Sequence, residues 1–135
     1  MPEPFRTTRL VQFHETDAAG IAHFSAFFTY MEEAEHAMLR HLGLSVMFED
    51  DDGRLSWPRV AVTCEFSGSV RFEDVVDVAV VVERLGKKSA TYAFEFTHAD
   101  QAIAQGHMTS VCCRLRPGLA PEPVEIPEWF REKLA

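Results

Sequence analysis

The stretch SAFFTYMEEAEHAMLRHL, Ser25 to Leu42, decides the fold. Phe24, Phe27, Phe28, Met31, Ala34, Met38, Leu39 and Leu42 recur at spacings of three and four, which is one broad apolar stripe of an α-helix. Ser25 stands where an N-cap belongs and Gly43 where a helix stops. The stripe is heavily aromatic at its start. So bulky a helix calls for something wide around it, such as a curved sheet.

The flanking sequence supplies that sheet. Phe5 to Phe13 alternates loosely and reads as a strand. Val60–Phe66, Val75–Leu85, Ser89–His98 and Ile103–Leu115 are rich in Val, Phe, Thr and Tyr, with breaks at Gly68, Gly86 and Ala99–Asp100. Val46 to Gly53 reads as a short amphipathic piece ending in a turn, and Pro127–Leu134 as a terminal helix. One strand, one long helix and then an antiparallel meander is an α+β order, expected as a single domain over residues 1–135. A sheet with open edges is expected to pair with a second copy, giving a homodimer or homotetramer.

Composition narrows the classes. At 135 residues there is room for one comfortable core. A net charge of −8 argues against nucleic acid as the main partner, while leaving room for a local basic patch that takes a polyanionic small ligand. No apolar run approaches the roughly 20 residues of a membrane span, and MPEPFRTTRL lacks the basic and apolar regions of a signal peptide, so a cytoplasmic protein is expected. Cys64, Cys112 and Cys113 have no metal-type spacing and read as free thiols, with the adjacent pair on opposite faces of a strand. FEDDDGRLSWPR lacks the anchoring carboxylates of a calcium loop, and the six histidines form no zinc motif; no metal site is expected.

FHETDAAGIAHFSAFFTYMEEAEHAMLR, Phe13 to Arg40, is the part that carries chemistry. It sets Asp17 in a glycine-containing loop directly before the helix. Free N–H groups in a first helical turn favour an anion, and aimed at a thioester carbonyl they would stabilise its oxygen as charge builds. Asp17 would then serve as general base on water or as nucleophile, and Gly20 would let the backbone approach the substrate. Taken alone, an aspartate before a helix is more often a cap or turn residue than a catalyst.

The same stretch resembles the helix-entry motif of the 4-hydroxybenzoyl-CoA thioesterase family of hotdog proteins, through Phe13, Asp17, Gly20, Ile21, Phe24 and the mid-helix acid Glu32. The likeness continues through EFSGSVRFEDVVDVAVVVERLGKKS, Glu65 to Ser89, and covers roughly residues 5 to 130. It implies a hotdog fold, a curved antiparallel sheet wrapped on one central helix, and hydrolysis of an acyl- or aroyl-CoA to free acid and CoA. It also implies roles: Asp17 as catalytic aspartate, the Phe24 N–H as carbonyl donor, Lys87, Lys88 and Ser89 as a turn against the CoA phosphates, and Trp57 and Pro58 as acyl-pocket lining. The family often has Tyr or Trp where His23 stands, so His23 reads as a substrate contact, an aid to Asp17, or a hydrogen-bonded loop residue. Phe28 is expected to line the pocket. Glu32 and Glu35 read as partly exposed, partnered acids, or as acids meeting a polar acyl end or a second copy.

No cofactor is implied beyond the coenzyme A of the substrate. An acyl carrier protein is an alternative carrier that Lys87 and Lys88 would also suit. Two further readings use the same motif: hydration or dehydration of an acyl thioester, and a non-catalytic acyl-CoA-binding module.

Overall fold

The structure, a computed structural model, describes residues 3–135, so the first two residues of the N-terminal stretch read above lie outside it. In chain order the elements are β1 (Phe5–Leu10), a single 3-10 turn (Phe13–Glu15), α1 (Ala26–His41), β2 (Phe48–Asp50), β3 (Gly53–Ser56), β4 (Arg59–Phe66), β5 (Val75–Leu85), β6 (Ser89–His98), β7 (Gln101–Val111), β8 (Cys113–Leu115), β9 (Glu122–Pro123) and α2 (Glu128–Leu134). Five strands form the main sheet in the order β1-β5-β6-β7-β4, every neighbour antiparallel. The hotdog architecture expected from the sequence is the one observed.

The sheet turns one face to α1. Val76, Val78 and Val80 of β5, Tyr92, Phe94 and Phe96 of β6, and Ala104 and Met108 of β7 alternate into the core and are buried. From the helix, Phe27, Tyr30, Met31, Ala34, Met38 and Leu39 pack against them. Helix and sheet are in close contact at Gly106, where an added Cβ would overlap Met31 Cε and stand 2.9 Å from its Sδ. A side chain at position 106 would have to displace the end of the Met31 side chain, with the Thr63 carbonyl oxygen 3.3 Å away. The helix ends as the glycine implied: Gly43 has φ +77°, and Leu44 N–H donates to the Leu39 carbonyl at 2.7 Å.

Several sequence expectations shift. The first strand stops at Leu10, and Phe13 opens the 3-10 turn instead. Val46–Gly53 is amphipathic, with Val46 and Phe48 against the core and Met47 exposed, but it is also a strand. Phe48–Asp50 pairs with β3 as a hairpin, which joins β8 and β9 in a second sheet of order β2-β3-β8-β9. The strand expected over Ile103–Leu115 breaks at Cys112, where the chain leaves one sheet for the other. That break also buries both Cys112 and Cys113, which a continuous strand would have sent to opposite faces.

The helix stripe is rotated from the expected one. Phe24 and Phe28 remain exposed, whereas Glu35 is 1% exposed, more deeply buried than a partly exposed acid. Glu35 is partnered by Arg59, the first residue of β4: Arg59 Nη1 donates to Glu35 Oε2 at 3.1 Å and Nη2 to Oε1, with Ser110 Oγ 2.9 Å from Nη1. A buried carboxylate is tolerated because a guanidinium fork meets both its oxygens. Burial still pushes its pKa above the ordinary value, against the pull of Arg59.

Gly106→Ala is expected to lower stability by about 1–3 kcal/mol, the cost of forcing a side chain into a filled core. Chemical denaturation measures it; an unchanged midpoint would contradict the close packing described.

Candidate active site

The loop ahead of α1 is a tight hairpin. Thr16 and Ala22 form an antiparallel bridge, Asp17 N–H donates to the Ile21 carbonyl at 2.9 Å, and Gly20 N–H returns to the Asp17 carbonyl at 2.9 Å. Gly20 takes φ +80°, which this turn requires and other residues resist, so its first duty is conformational. The Asp17 side chain folds back over the turn, Oδ1 accepting Ala19 N–H at 2.8 Å. Oδ2 has no partner among the described residues, which leaves one carboxylate oxygen available.

Helical hydrogen bonding starts earlier than the N-cap reading of Ser25 required. Ser25 is itself in the helical region and makes no side-chain cap bond. The His23 carbonyl accepts from Ala26 N–H at 2.9 Å, and the His23 ring Nδ1 meets Ser25 Oγ at 2.8 Å. The imidazole is therefore engaged with the helix start rather than with Asp17. The Phe24 N–H donates to no acceptor among the described residues. It is a free donor at the positive end of a helix of 16 residues, with Asp17 seven residues earlier on the same hairpin.

Apolar side chains of α1 and β4 stay exposed beside this pair, and we read the strip between them as a groove. Phe24 (60% exposed) and Phe28 (37%) lie one helical turn apart, with Glu32 one turn further. Opposite them lies the inner face of β4. Val62 and Phe66 pair with the buried Met108 and Ala104, and so face the helix side, yet they stay 37% and 46% exposed. Phe66 touches Phe27, with ring centroids 5.1 Å apart, so the groove begins at the helix start. At its far end Arg59 Nη2 reaches Glu32 Oε1 at 3.4 Å. A second hollow, of about 460 Å³ between Phe5, Met38, Leu42 and Val80, lies at the C-terminal end of α1, far from Asp17.

The residues singled out from the sequence fall into two groups. Asp17, Gly20, His23, Phe24 and Phe28 lie toward the helix-start end of the groove, whereas Glu32 lies at its other end against Arg59. Lys87, Lys88 and Ser89 sit at the turn between β5 and β6, where Ser89 pairs with Val111, and Val111 N–H bonds the Pro58 carbonyl at 3.1 Å. Trp57 is at that same end, stacked on Phe130 at 4.8 Å, with its indole N–H buried and without a partner among the described residues. The eight residues of β4 separate the two ends by roughly 26 Å at about 3.3 Å per residue. Within one chain only Glu32 approaches the second group, through Arg59 beside Pro58; Asp17 and Phe24 stay at the opposite end.

Residues 11–134 match the model of the thioesterase-like superfamily. The chain belongs to that family. A solved structure from Aquifex aeolicus is 32% identical, with a TM-score of 0.87 and coverage of 98% of this chain and 100% of that one. A gentisyl-coenzyme A thioesterase is 28% identical with a TM-score of 0.84, covering 97% and 100%. A 1,4-dihydroxy-2-naphthoyl-CoA hydrolase from Synechococcus sp. (strain WH7803) is 27% identical over 96% of this chain and 90% of its own. The family resemblance read from the sequence holds.

Within this thioesterase-like site, the sequence reading missed Glu15, Tyr30 and Arg9, which gather under the Asp17 hairpin, and Arg59 at the groove's far end. They are scattered over β1, the hairpin, α1 and β4, and no local spacing links them. Among the described residues no group of three metal-binding side chains comes together. Cys64 lies on the same strand face as Val62 and Phe66, and burial pushes its thiol up to about 11. At pH 7.5 it is overwhelmingly protonated and a poor nucleophile. Alkylation of Cys64 by iodoacetamide should be slow at pH 7.5 and quicken steadily as pH rises toward 11; rapid labelling at neutral pH would contradict this.

Proposed function

We propose that this protein is an acyl-CoA thioesterase acting on a hydroxylated aroyl-CoA, and that its working form is a homo-oligomer built on a two-fold pairing of β4. The carrying observation is the free Phe24 N–H at the helix start, joined by a hairpin to the half-free carboxylate of Asp17. The thioester carbonyl oxygen would accept the Phe24 hydrogen bond, with the helix dipole adding to its polarisation. Asp17 then either takes a proton from a water that adds to the carbonyl carbon, or attacks that carbon itself to form a mixed anhydride that water afterwards hydrolyses. By either route the thiolate of CoA leaves and the free acid is released. No metal or redox cofactor enters this reading.

The acyl group follows from the groove. Phe24 and Phe28 give it aromatic walls, and Glu32, held by Arg59, closes it with an acceptor. Eight helical residues separate Phe24 from Glu32, roughly 12 Å along the axis, and the side chain leans back toward the helix start. That span suits an aromatic ring bearing a hydroxyl at its far side. The relatives named for gentisyl-CoA and dihydroxynaphthoyl-CoA support the same class.

The second copy follows from the two separated groups. β4 is an open sheet edge with Val60, Ala61 and Val62 exposed. Pairing it antiparallel with its own copy sets the Arg59 end of one chain against the Phe66 end of the other. Trp57, Pro58 and the Lys87–Ser89 turn of one subunit would then stand beside the other's Asp17, with the two ammonium groups able to meet CoA phosphates. CoA is favoured over an acyl carrier protein by these relatives' names.

Asp17→Asn is expected to cut kcat on aroyl-CoAs by about 10²–10⁴-fold, the usual worth of a positioned acid–base group. Thiol release measures it, and near wild-type turnover would remove Asp17 from the mechanism. Mixing inactive Asp17→Asn protein with weakly binding Lys87→Ala/Lys88→Ala protein, under conditions that exchange subunits, should restore activity at sites assembled from the two intact halves. No recovery in verified mixed dimers would contradict a site shared between chains.

A further inference from the structure

Beneath the Asp17 hairpin lies a polar cluster that the reaction above does not use. Glu15 is 8% exposed and fully engaged. Its Oε1 accepts Tyr30 OH at 2.9 Å and Gln12 N–H at 2.8 Å, and Oε2 accepts Arg9 Nη2 at 2.7 Å. Its backbone carbonyl accepts His23 N–H at 2.7 Å. Arg9 also lies over the Tyr30 ring, 5.0 Å from its centroid, and its Nε donates to Glu33 at 2.6 Å. Tyr30, 1% exposed, belongs to the second turn of α1.

We infer that Glu15 and Tyr30 are positioning residues that fix Asp17 relative to the Phe24 N–H, an inference that rests on the thioesterase reading. Glu15 precedes Asp17 by two residues, and its carbonyl holds the amide of the residue directly before Phe24. Its side chain is meanwhile bonded to the helix through Tyr30 and to β1 through Arg9. One residue therefore joins the strand carrying the carboxylate, the strand leading to the donor, and the helix itself. An apolar residue would fill the space without the cost of burying a charge. What an apolar residue could not do is set the hairpin's position against the helix by directed bonds from two sides. A carboxylate and an N–H that must meet one carbonyl group tolerate little error, since a shift near 1 Å costs on the order of 10²-fold in rate.

Tyr30→Phe removes one hydroxyl and leaves the packing, so it tests geometry rather than folding. Glu15→Gln keeps the shape and loses the charge, as a second variant. With an aroyl-CoA substrate, Tyr30→Phe is expected to lower kcat 10- to 100-fold, as rough magnitudes for a sub-ångström to 1 Å displacement, with KM within about twofold of wild type. In an Asp17→Asn background the same change should have almost no further effect, because the carboxylate being positioned is gone. Hydrogen exchange at the Ile21 and His23 amides should quicken in either background. A kcat within twofold of wild type, or an undiminished loss in the Asp17→Asn background, would overturn the inference. If the wild-type protein hydrolyses no thioester, the functional reading fails by itself. The exchange measurement still decides the clamp, and unchanged amide exchange in both variants would overturn it.

Discussion

A single helix about 10–12 Å across cannot cover five strands spaced about 4.8 Å apart, and the rest of the molecule follows from that mismatch. α1 packs over Gly106 and the aromatic side chains of β6. The sheet's edge at β4 is left with its inner face uncovered and its backbone edge open. Val62 and Phe66 therefore face the helix side only partly covered, and Phe24 and Phe28 project from the helix start. The groove is the space that the core was too narrow to fill.

Apolar packing sets where α1 lies, and charge pairs fix how it is turned. Arg9 on β1 and Arg59 on β4 come from the two edges of the main sheet. Arg9 grips Glu33 and the hairpin's Glu15, while Arg59 grips Glu35 and touches Glu32. The helix is thus held on both flanks by guanidinium groups. A small rotation would bury Phe24 and Phe28 or swing the Phe24 N–H away from Asp17. Neither arginine needs to supply much net stability to matter, because what it restricts is orientation.

The sheet order and the helix were legible because periodicity reports burial directly. The run Val75–Val82 can hardly be anything but a strand, and Gly43 ends the helix as its type implies. The site proposed around Asp17, Gly20 and Phe24 came from a motif, which one continuous stretch can carry. Other features were hidden for physical reasons. Phe24 and Phe28 fell within the apolar stripe because hydrophobic spacing cannot distinguish an apolar wall from an apolar interior. Glu35 looked half-exposed because its partner Arg59 is distant in sequence, and the Glu15–Tyr30 bond spans 15 residues and two elements. The break at Cys112 is set by the second sheet, whose short strands carry too little pattern to announce themselves.

The claim on which everything else rests is that a thioester carbonyl docks on the helix start. The most direct measurement is a crystal structure with a ketone analogue of a hydroxyaroyl-CoA, in which a methylene replaces the sulfur and the carbonyl oxygen is retained. The account predicts that oxygen at about 2.7–3.2 Å from the Phe24 nitrogen, with the ring between Phe28 and the bare face of β4. An analogue seated in the cleft at the other end of α1, or bound with its carbonyl turned away from Phe24, would contradict it.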